Sequence, residues 1–339
     1  MPLDTASIVR VGVDLAKDVM HVHAVNAEGK RVVSRQVARA DFLAWCAALP
    51  PGCPIGMEAT CACHYWGREL AALGLAPKLI SPSFVAPYRM EGRTAKNDAH
   101  DAAAICEAMS RPHMRFVPVK TVDQQAILAV HTLRNGYVED RTDCMNRMRA
   151  LLSEVGLVLP RSASKFRAEV PDLIKNGRQA MSALARAALG QAYRHFLRLD
   201  KQIAWCDEAI KKHVRLDPSA KAAYELNGIG VLGASALAAS VADMRQFKNG
   251  RQFSAWLGLV PRQSSTGGKT KLGRITRRGD GYLRKLLVYG AVCAMRGAAK
   301  KDDPISKWIV QLRARRGAWR AAVALANRNA RMLWRVLAA

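Results

Sequence analysis

Ile8-Val9-Arg10-Val11-Gly12-Val13-Asp14, then Val19 to Ala27, a turn at Glu28-Gly29-Lys30, and Arg31 to Ala38, is the stretch whose reading decides the fold. Apolar and polar residues alternate here with the period of two that turns one face of a strand inward, so the spacing predicts a three-stranded meander. Working outward, the pattern predicts a helix from Asp41 to Leu49, a short strand Pro54-Ile55-Gly56-Met57 ending at Glu58, a helix from Ala62 to Leu73 and a strand from Pro77 to Ile80. A further helix runs from Ala99 to Met109, entered through Lys96-Asn97-Asp98, where Asn97 or Asp98 can cap the first turn. Three strands followed by α, β, α, β, α is the order of an RNase H-like α/β fold.

From Val122 to about Val155 the pattern is helical without strands, and a second helical stretch runs from Arg178 to Val214, with Pro160-Arg-Ser-Ala-Ser-Lys between them as a loop by composition. Two antiparallel helices forming a coiled-coil arm and plain three-helix packing both fit this segment. After Asp217-Pro218 the chain is helical again, a Ser/Thr/Gly/Lys-rich loop is expected from Arg262 to Arg274, and the last 55 residues read as basic amphipathic helices. The expected fold class is therefore α/β plus α. Its domains are an RNase H-like domain at 1–115, a helical region, coiled coil or linker, at 116–218, and a mainly helical basic domain with a helix-hairpin-helix element at 219–339.

The 339 residues carry 53 Lys/Arg against 27 Asp/Glu, a formal net charge of +26, and half are apolar, which excludes wholesale disorder. The longest apolar stretch, Leu286 to Met295, is broken by Gly290 and falls well short of the ~20 residues of a membrane-spanning helix. Together with an N-terminus lacking an apolar signal core and with eight cysteines in no disulfide or zinc pattern, this predicts a soluble, cytoplasmic, nucleoid-associated protein. The charge is uneven: residues 1–110 hold 11 basic and 11 acidic residues, whereas residues 250–339 hold 20 against 3. A neutral domain followed by basic ones predicts chemistry in the first and a grip on phosphates in the last.

Asp14 and Glu58 each close a predicted strand, and Asp98 and Asp101 stand three apart at a helix start, on one face. Singly, each acid could serve as a cap or a helix-terminal charge. Four acids at element ends of one RNase H-like fold point instead to a site for magnesium, or manganese, since hard cations take carboxylate oxygens and relieve their repulsion. Leu226-Asn227-Gly228-Ile229-Gly230 has the form of a helix-hairpin-helix turn, in which Gly228 and Gly230 let backbone approach a phosphate; a tight helix crossing fits the same residues. In Gly258 to Lys269, three hydroxyls, Ser264, Ser265 and Thr266, stand beside Arg262 and Lys269, with Lys271, Arg274, Arg277 and Arg278 just beyond. Such a hydroxyl can attack a phosphodiester where cations neutralise the developing charge, or can bind phosphate or its own backbone passively.

Val11-Gly12-Val13-Asp14-Leu15-Ala16-Lys17, Gly56-Met57-Glu58-Ala59-Thr60, Lys96-Asn97-Asp98-Ala99-His100-Asp101-Ala102, Gly228-Ile229-Gly230 and Gly258 to Gly273 together resemble, in order and spacing, the DEDD transposase family of insertion-sequence recombinases, the bridge-RNA-guided (seekRNA-guided) enzymes. The resemblance spans nearly the whole chain. It implies a RuvC-like domain whose acids map onto Asp14, Glu58, Asp98 and Asp101, a coiled-coil segment, and a transposase domain with a catalytic serine. Alignment from Arg274-Ile275-Thr276-Arg277-Arg278-Gly279 assigns that serine to Ser265, with Ser264 the alternative, while counting forward from Pro261 lands on Thr266. Cys61-Ala62-Cys63-His64 departs from the glycine and tyrosine that family members often carry after the glutamate. The resemblance further implies a noncoding guide RNA, donor and target double-stranded DNA, a covalent phosphoserine intermediate and a homo-oligomer from dimer to tetramer, with no membrane. A RuvC-like junction resolvase would need only the four acids and water; an architectural nucleic-acid binder would need only the charge.

Overall fold

The structure is a computed structural model that describes residues 5–89, 98–176, 181–241 and 243–338. Lys96, Asn97 and Arg178, used in the sequence reading, lie outside the described residues. The chain divides into two compact units, Met1–Val122 and Asp123–Ala339.

In the first unit the meander forms as β1 (Arg10–Asp14), β2 (Val19–Val25) and β3 (Arg31–Ala38), followed by α1 (Phe42–Ala47), β4 (Pro54–Glu58), α2 (Cys63–Ala72), β5 (Ala76–Ile80), the short α3 (Pro82–Val85), α4 (Asp98–Met109) and β6 (Phe116–Val117). The sheet order is β3-β2-β1-β4-β5-β6, with β1, β4 and β5 parallel and the others antiparallel to their neighbours. This mixed α/β sheet agrees with the RNase H-like reading of the N-terminal region; β6, two residues long, is an addition to it. Alternation decides which face each residue joins. Val11, Val13, Met20, Val22, Ile55 and Met57 are buried with Phe42, Cys46, Trp66 and Leu70 under α1 and α2. Each side chain removed from water in this way contributes roughly 1.5–3 kcal/mol. Ile80, Val85, Ala104, Ile105 and Ala108 form a smaller cluster on the α4 side.

The second unit opens with α5 (Val122–Ser153), α6 (Ala163–Asn176) and α7 (Ala183–Leu216). Arg134 pairs with Asp207 at 2.6 Å and Arg141 with Asp200 at 2.8 Å, so residue numbers rise along α5 as they fall along α7 and the two helices are antiparallel. The segment read as a loop after Pro160 is one only up to Ser162, whose Oγ accepts a hydrogen bond from the Lys165 amide at the start of α6. Pro171 lies inside α6 and hides it from a propensity reading; Phe166 and Val170, both fully buried against Met148, Phe196 and Leu199, hold it in place. The remainder is helical: α8 (Pro218–Tyr224), α9 (Val231–Ser240), α10 (Gly250–Trp256), α11 (Gly281–Gly297), α12 (Pro304–Arg316) and α13 (Ala318–Leu337) surround one core. Between α10 and α11 the expected loop at Arg262–Arg274 is instead a two-stranded ribbon, β7 (Pro261–Thr266) and β8 (Lys269–Ile275). Among the described residues no helix is long and apolar enough to cross a membrane.

Candidate active site

Strand alternation places Arg10, Gly12 and Asp14 on the face of β1 opposite to Val11 and Val13, and Gly56 and Glu58 on the same face of β4. That face is covered by α4. A Cβ on Gly12 would overlap the Ala102 carbonyl oxygen and the Cys106 amide nitrogen, and one on Gly56 would come within 2.6 Å of Met109 Sδ. The two glycines therefore let α4 lie directly on β1 and β4. With Cys106 beside Arg10 and Ala102 over Gly12, the helix runs so that its N-terminal turn, carrying Asp98 and Asp101, comes to the strand ends that carry Asp14 and Glu58. Val13 pairs with Met57 in the parallel ladder, which makes Asp14 and Glu58 the next residues of adjacent strands. Asp101 is buried and Asp98 exposed.

Two residues that the sequence reading missed enter this cluster. The Arg89 guanidinium lies between two of the acids, with Nη2 3.1 Å from Glu58 Oε1 and Nε 2.5 Å from Asp101 Oδ1. His21 is the register partner of Asp14 across β1 and β2. Burial lowers its pKa from the ordinary value while the negative charge of Asp98 opposes that shift, and its buried Nδ1 has no hydrogen-bond partner among the described residues. His21 could have been found from the meander register; Arg89, following the one-turn α3, gives no sequence signal. The donor set is hard oxygen, the kind that takes magnesium, and a cationic group already sits between two of its members. Among the described residues, however, no three His, Cys, Asp or Glu side chains stand close enough to hold one ion together.

The serine segment is anchored at its root and exposed at its tip. Gly267 (φ +55°) and Gly268 (φ +75°) form the two-residue left-handed turn that matches the twist of paired strands, which is why the segment is a hairpin. At the base, Thr276 N–H donates to Val260 O at 2.8 Å, and a Cβ on Gly258 or Gly279 would overlap the backbone of Arg278 or Trp256. Asp280 caps α11 by accepting from the Tyr282 and Leu283 amides at 2.7 and 3.2 Å. Ser265 pairs with Thr270 and Gln263 with Leu272, whereas Ser264 pairs with Lys271 and Thr266 with Lys269. Directly opposed residues share a face, so Ser265 lies on the Gln263 face and the two lysines lie on the other with Ser264 and Thr266. Gln263 Nε2 donates to Ser265 Oγ at 2.8 Å. Arg262, Lys269, Lys271, Arg274, Arg277 and Arg278 are all exposed, and Arg277 adopts a left-handed φ of +57°.

Gly228 and Gly230 flank the turn from α8 to α9. Gly228, at φ +86°, is pressed against α11 and α13, where a Cβ would meet Asn329 Nδ2 at 3.1 Å and Ala294 Cβ at 3.3 Å; Asn329 also donates to the Asn227 carbonyl at 2.9 Å. Gly230 is exposed, opens α9 as its N-cap and has open space around it.

Comparison with known proteins matches both ends of the chain to transposases. Residues 11–156 match the DEDD transposase model of the IS110 group, and residues 220–304 match the model described as transposase IS116/IS110/IS902 family. A probable family 20 transposase of Pseudomonas aeruginosa is 46% identical over 335 residues, covering 98% of this chain and 97% of that protein. The transposase for insertion sequence element IS1111A of Coxiella burnetii is 39% identical over 96% of this chain and 89% of its own length. The transposase for insertion sequence element IS1328 of Yersinia enterocolitica is 35% identical, over 97% and 96% respectively.

Proposed function

We propose, from the premise that this chain belongs to the IS116/IS110/IS902 family of transposases, that it is an RNA-guided DNA recombinase that cuts and rejoins DNA through a covalent phosphoserine. Membership makes it an insertion-sequence transposase, an enzyme of DNA recombination. The proposal divides the work among a RuvC-like domain at 1–115, a helical region at 116–218 and a transposase domain at 219–339. The observation that supports it is the convergence of the Asp14 and Glu58 strand ends with the first turn of α4, where Arg89 joins Glu58 to Asp101.

Asp14, Glu58, Asp98 and Asp101 are the residues that would hold a divalent ion, magnesium or manganese. Bound there, such an ion supplies positive charge to the attacked phosphoryl group. Ser265 Oγ attacks the phosphorus; a serine phosphodiester forms, one sugar–oxygen bond to phosphorus breaks, and the serine proton ends on the departing sugar hydroxyl. Attack on that ester by a sugar hydroxyl of the second DNA restores the serine and rejoins the strand. Gln263, donating to Ser265 Oγ, fixes the direction of the hydroxyl on the ribbon face. Lys269 and Lys271 on the other face, with Arg262, Arg274, Arg277 and Arg278, hold flanking phosphates. Guidance by a noncoding RNA pairing with donor and target DNA rests on the family resemblance; sequence choice then lies in base pairing, and the protein reads shape and backbone.

Asp14, Glu58, Asp98 and Asp101 fall in one unit and Ser265 in the other; the family resemblance implies that the two halves of the proposed site come from different subunits of a homo-oligomer. Mixing two inactive variants tests this. Asp14→Asn and Ser265→Ala, each unable to recombine a donor and target plasmid with guide RNA, should recover recombination when assembled together, because one active combination forms in the mixed oligomer. Failure to complement, with each variant folded and binding RNA, would mean that both halves come from one chain.

A further inference from the structure

We infer that Arg89 is an internal counter-cation of the acidic site, joining Glu58 to Asp101, and has to leave both before a divalent ion can bind there, a claim that rests on the metal-site reading above. Two different nitrogens of one guanidinium engage two different carboxylates, at 3.1 Å for Glu58 and 2.5 Å for Asp101. The acids are inside and the base comes from outside: the side chains of Glu58 and Asp101 are only 15% and 10% exposed, against 39% for Arg89. Two partly desolvated carboxylates held near each other repel, and a cation between them removes that cost. The arrangement accounts for a second observation, that among the described residues no three potential ligands converge on one point although four acids share one end of the fold.

Arginine keeps its charge at any working pH, so it can vacate the site only by moving, not by losing a proton. It follows the turn Ala86–Tyr88 with extended backbone (φ −71°, ψ 115°), and its partly exposed side chain has a route to solvent. A guanidinium drawn off the carboxylates finds an equivalent planar partner in a phosphate. Metal binding and nucleic-acid binding are therefore coupled: DNA phosphate that takes Arg89 opens the acids to metal, and metal releases Arg89 for phosphate. Such coupling is reciprocal by linkage.

The test is Mn2+ binding to the full-length protein, read from loss of the free-ion electron paramagnetic resonance signal, for wild type, Arg89→Gln, Arg89→Lys and Asp101→Asn. Arg89→Gln should bind Mn2+ on the order of tenfold more tightly than wild type, as expected when competition from a pair of partly buried ion contacts is removed. Arg89→Lys, which keeps the charge but cannot fork to both acids, should fall between them, and Asp101→Asn should lose the site. Adding a DNA duplex should tighten Mn2+ binding to wild type and leave Arg89→Gln nearly unchanged. Equal or weaker binding by Arg89→Gln, or by Arg89→Lys if the glutamine variant does not fold, overturns the inference while the metal site stands. Absence in wild type of any Mn2+ binding that Asp101→Asn removes would overturn the metal-site reading and the inference with it.

Discussion

His131 is a buried imidazole, 2% exposed, that ties three helices of the second unit together: its Nδ1 is 3.0 Å from Tyr282 Oη on α11 and its Nε2 is 2.9 Å from Ser235 Oγ on α9. Burial, then the neighbouring His213 and Arg134, push its pKa down from 6.5 to about 4. In the unfolded chain the group returns to its ordinary value, so below pH 6.5 the unfolded state binds the proton more readily than the folded one. Stability is then complete above about pH 6.5 and is lost as pH falls through 4. At pH 5 the two pKa values correspond to about 2 kcal/mol, with a ceiling of roughly 3.4 kcal/mol well below pH 4. His131→Gln keeps a donor and an acceptor for Tyr282 and Ser235 but cannot be protonated. Denaturant unfolding at pH 7.5 and pH 5 should show wild type losing about 2 kcal/mol more than the variant, or roughly 4–8 °C in melting temperature for a unit of this size. The comparison removes the parallel contribution of His64 in the first unit, which burial, Lys120 and Arg68 also push down to about 4. Identical pH dependence in the two proteins would refute the assignment of a neutral, load-sharing imidazole at this junction.

Further outcomes follow from the same geometry. Asp101→Ala or Asp14→Ala should abolish DNA cleavage while leaving RNA binding and the thermal transition largely intact, and full recombination by Asp101→Ala in magnesium would contradict the four-acid site. Gly12→Ala forces a methyl group into the backbone of α4 at Ala102 and Cys106, where no rotamer change relieves it; a loss of about 1–3 kcal/mol is expected in a melting experiment, and an unchanged transition would show that α4 is not seated as described. Replacing Arg277 and Arg278 together should reduce the slope of log affinity for DNA against log salt by about 2, since each cation that neutralises a phosphate contributes nearly one. An unchanged slope would take the pair off the nucleic-acid path.

The first unit was legible because its strands are half-buried. Val11 and Val13 alternate with Arg10 and Asp14, Met20 and Val22 with His21, and tertiary packing asks of them the same pattern that the sequence displays. The four acids could be read as strand-end and helix-start residues for the same reason. The ribbon at Pro261–Ile275 could not be read from hydrophobic alternation, because nearly every residue in it is exposed; Gly267-Gly268 was its only strong local signal. Helix α6 was obscured by Pro171 and is held by Phe166 and Val170 in contact with residues distant in sequence. Arg89 was illegible in principle, since its meaning depends on β4 and α4 meeting at one point.

The measurement that bears most directly on a serine recombinase mechanism is a search for a protein–DNA adduct with end-labelled substrate, guide RNA and magnesium on a denaturing gel. Wild type should give a slow band that protease removes, and Ser265→Ala should retain RNA and DNA binding yet give none. Loss of the band in Ser264→Ala but not in Ser265→Ala would move the nucleophile to the lysine face of the ribbon. Cleavage in magnesium without an adduct from any variant, wild type included, would contradict the account and make water the nucleophile.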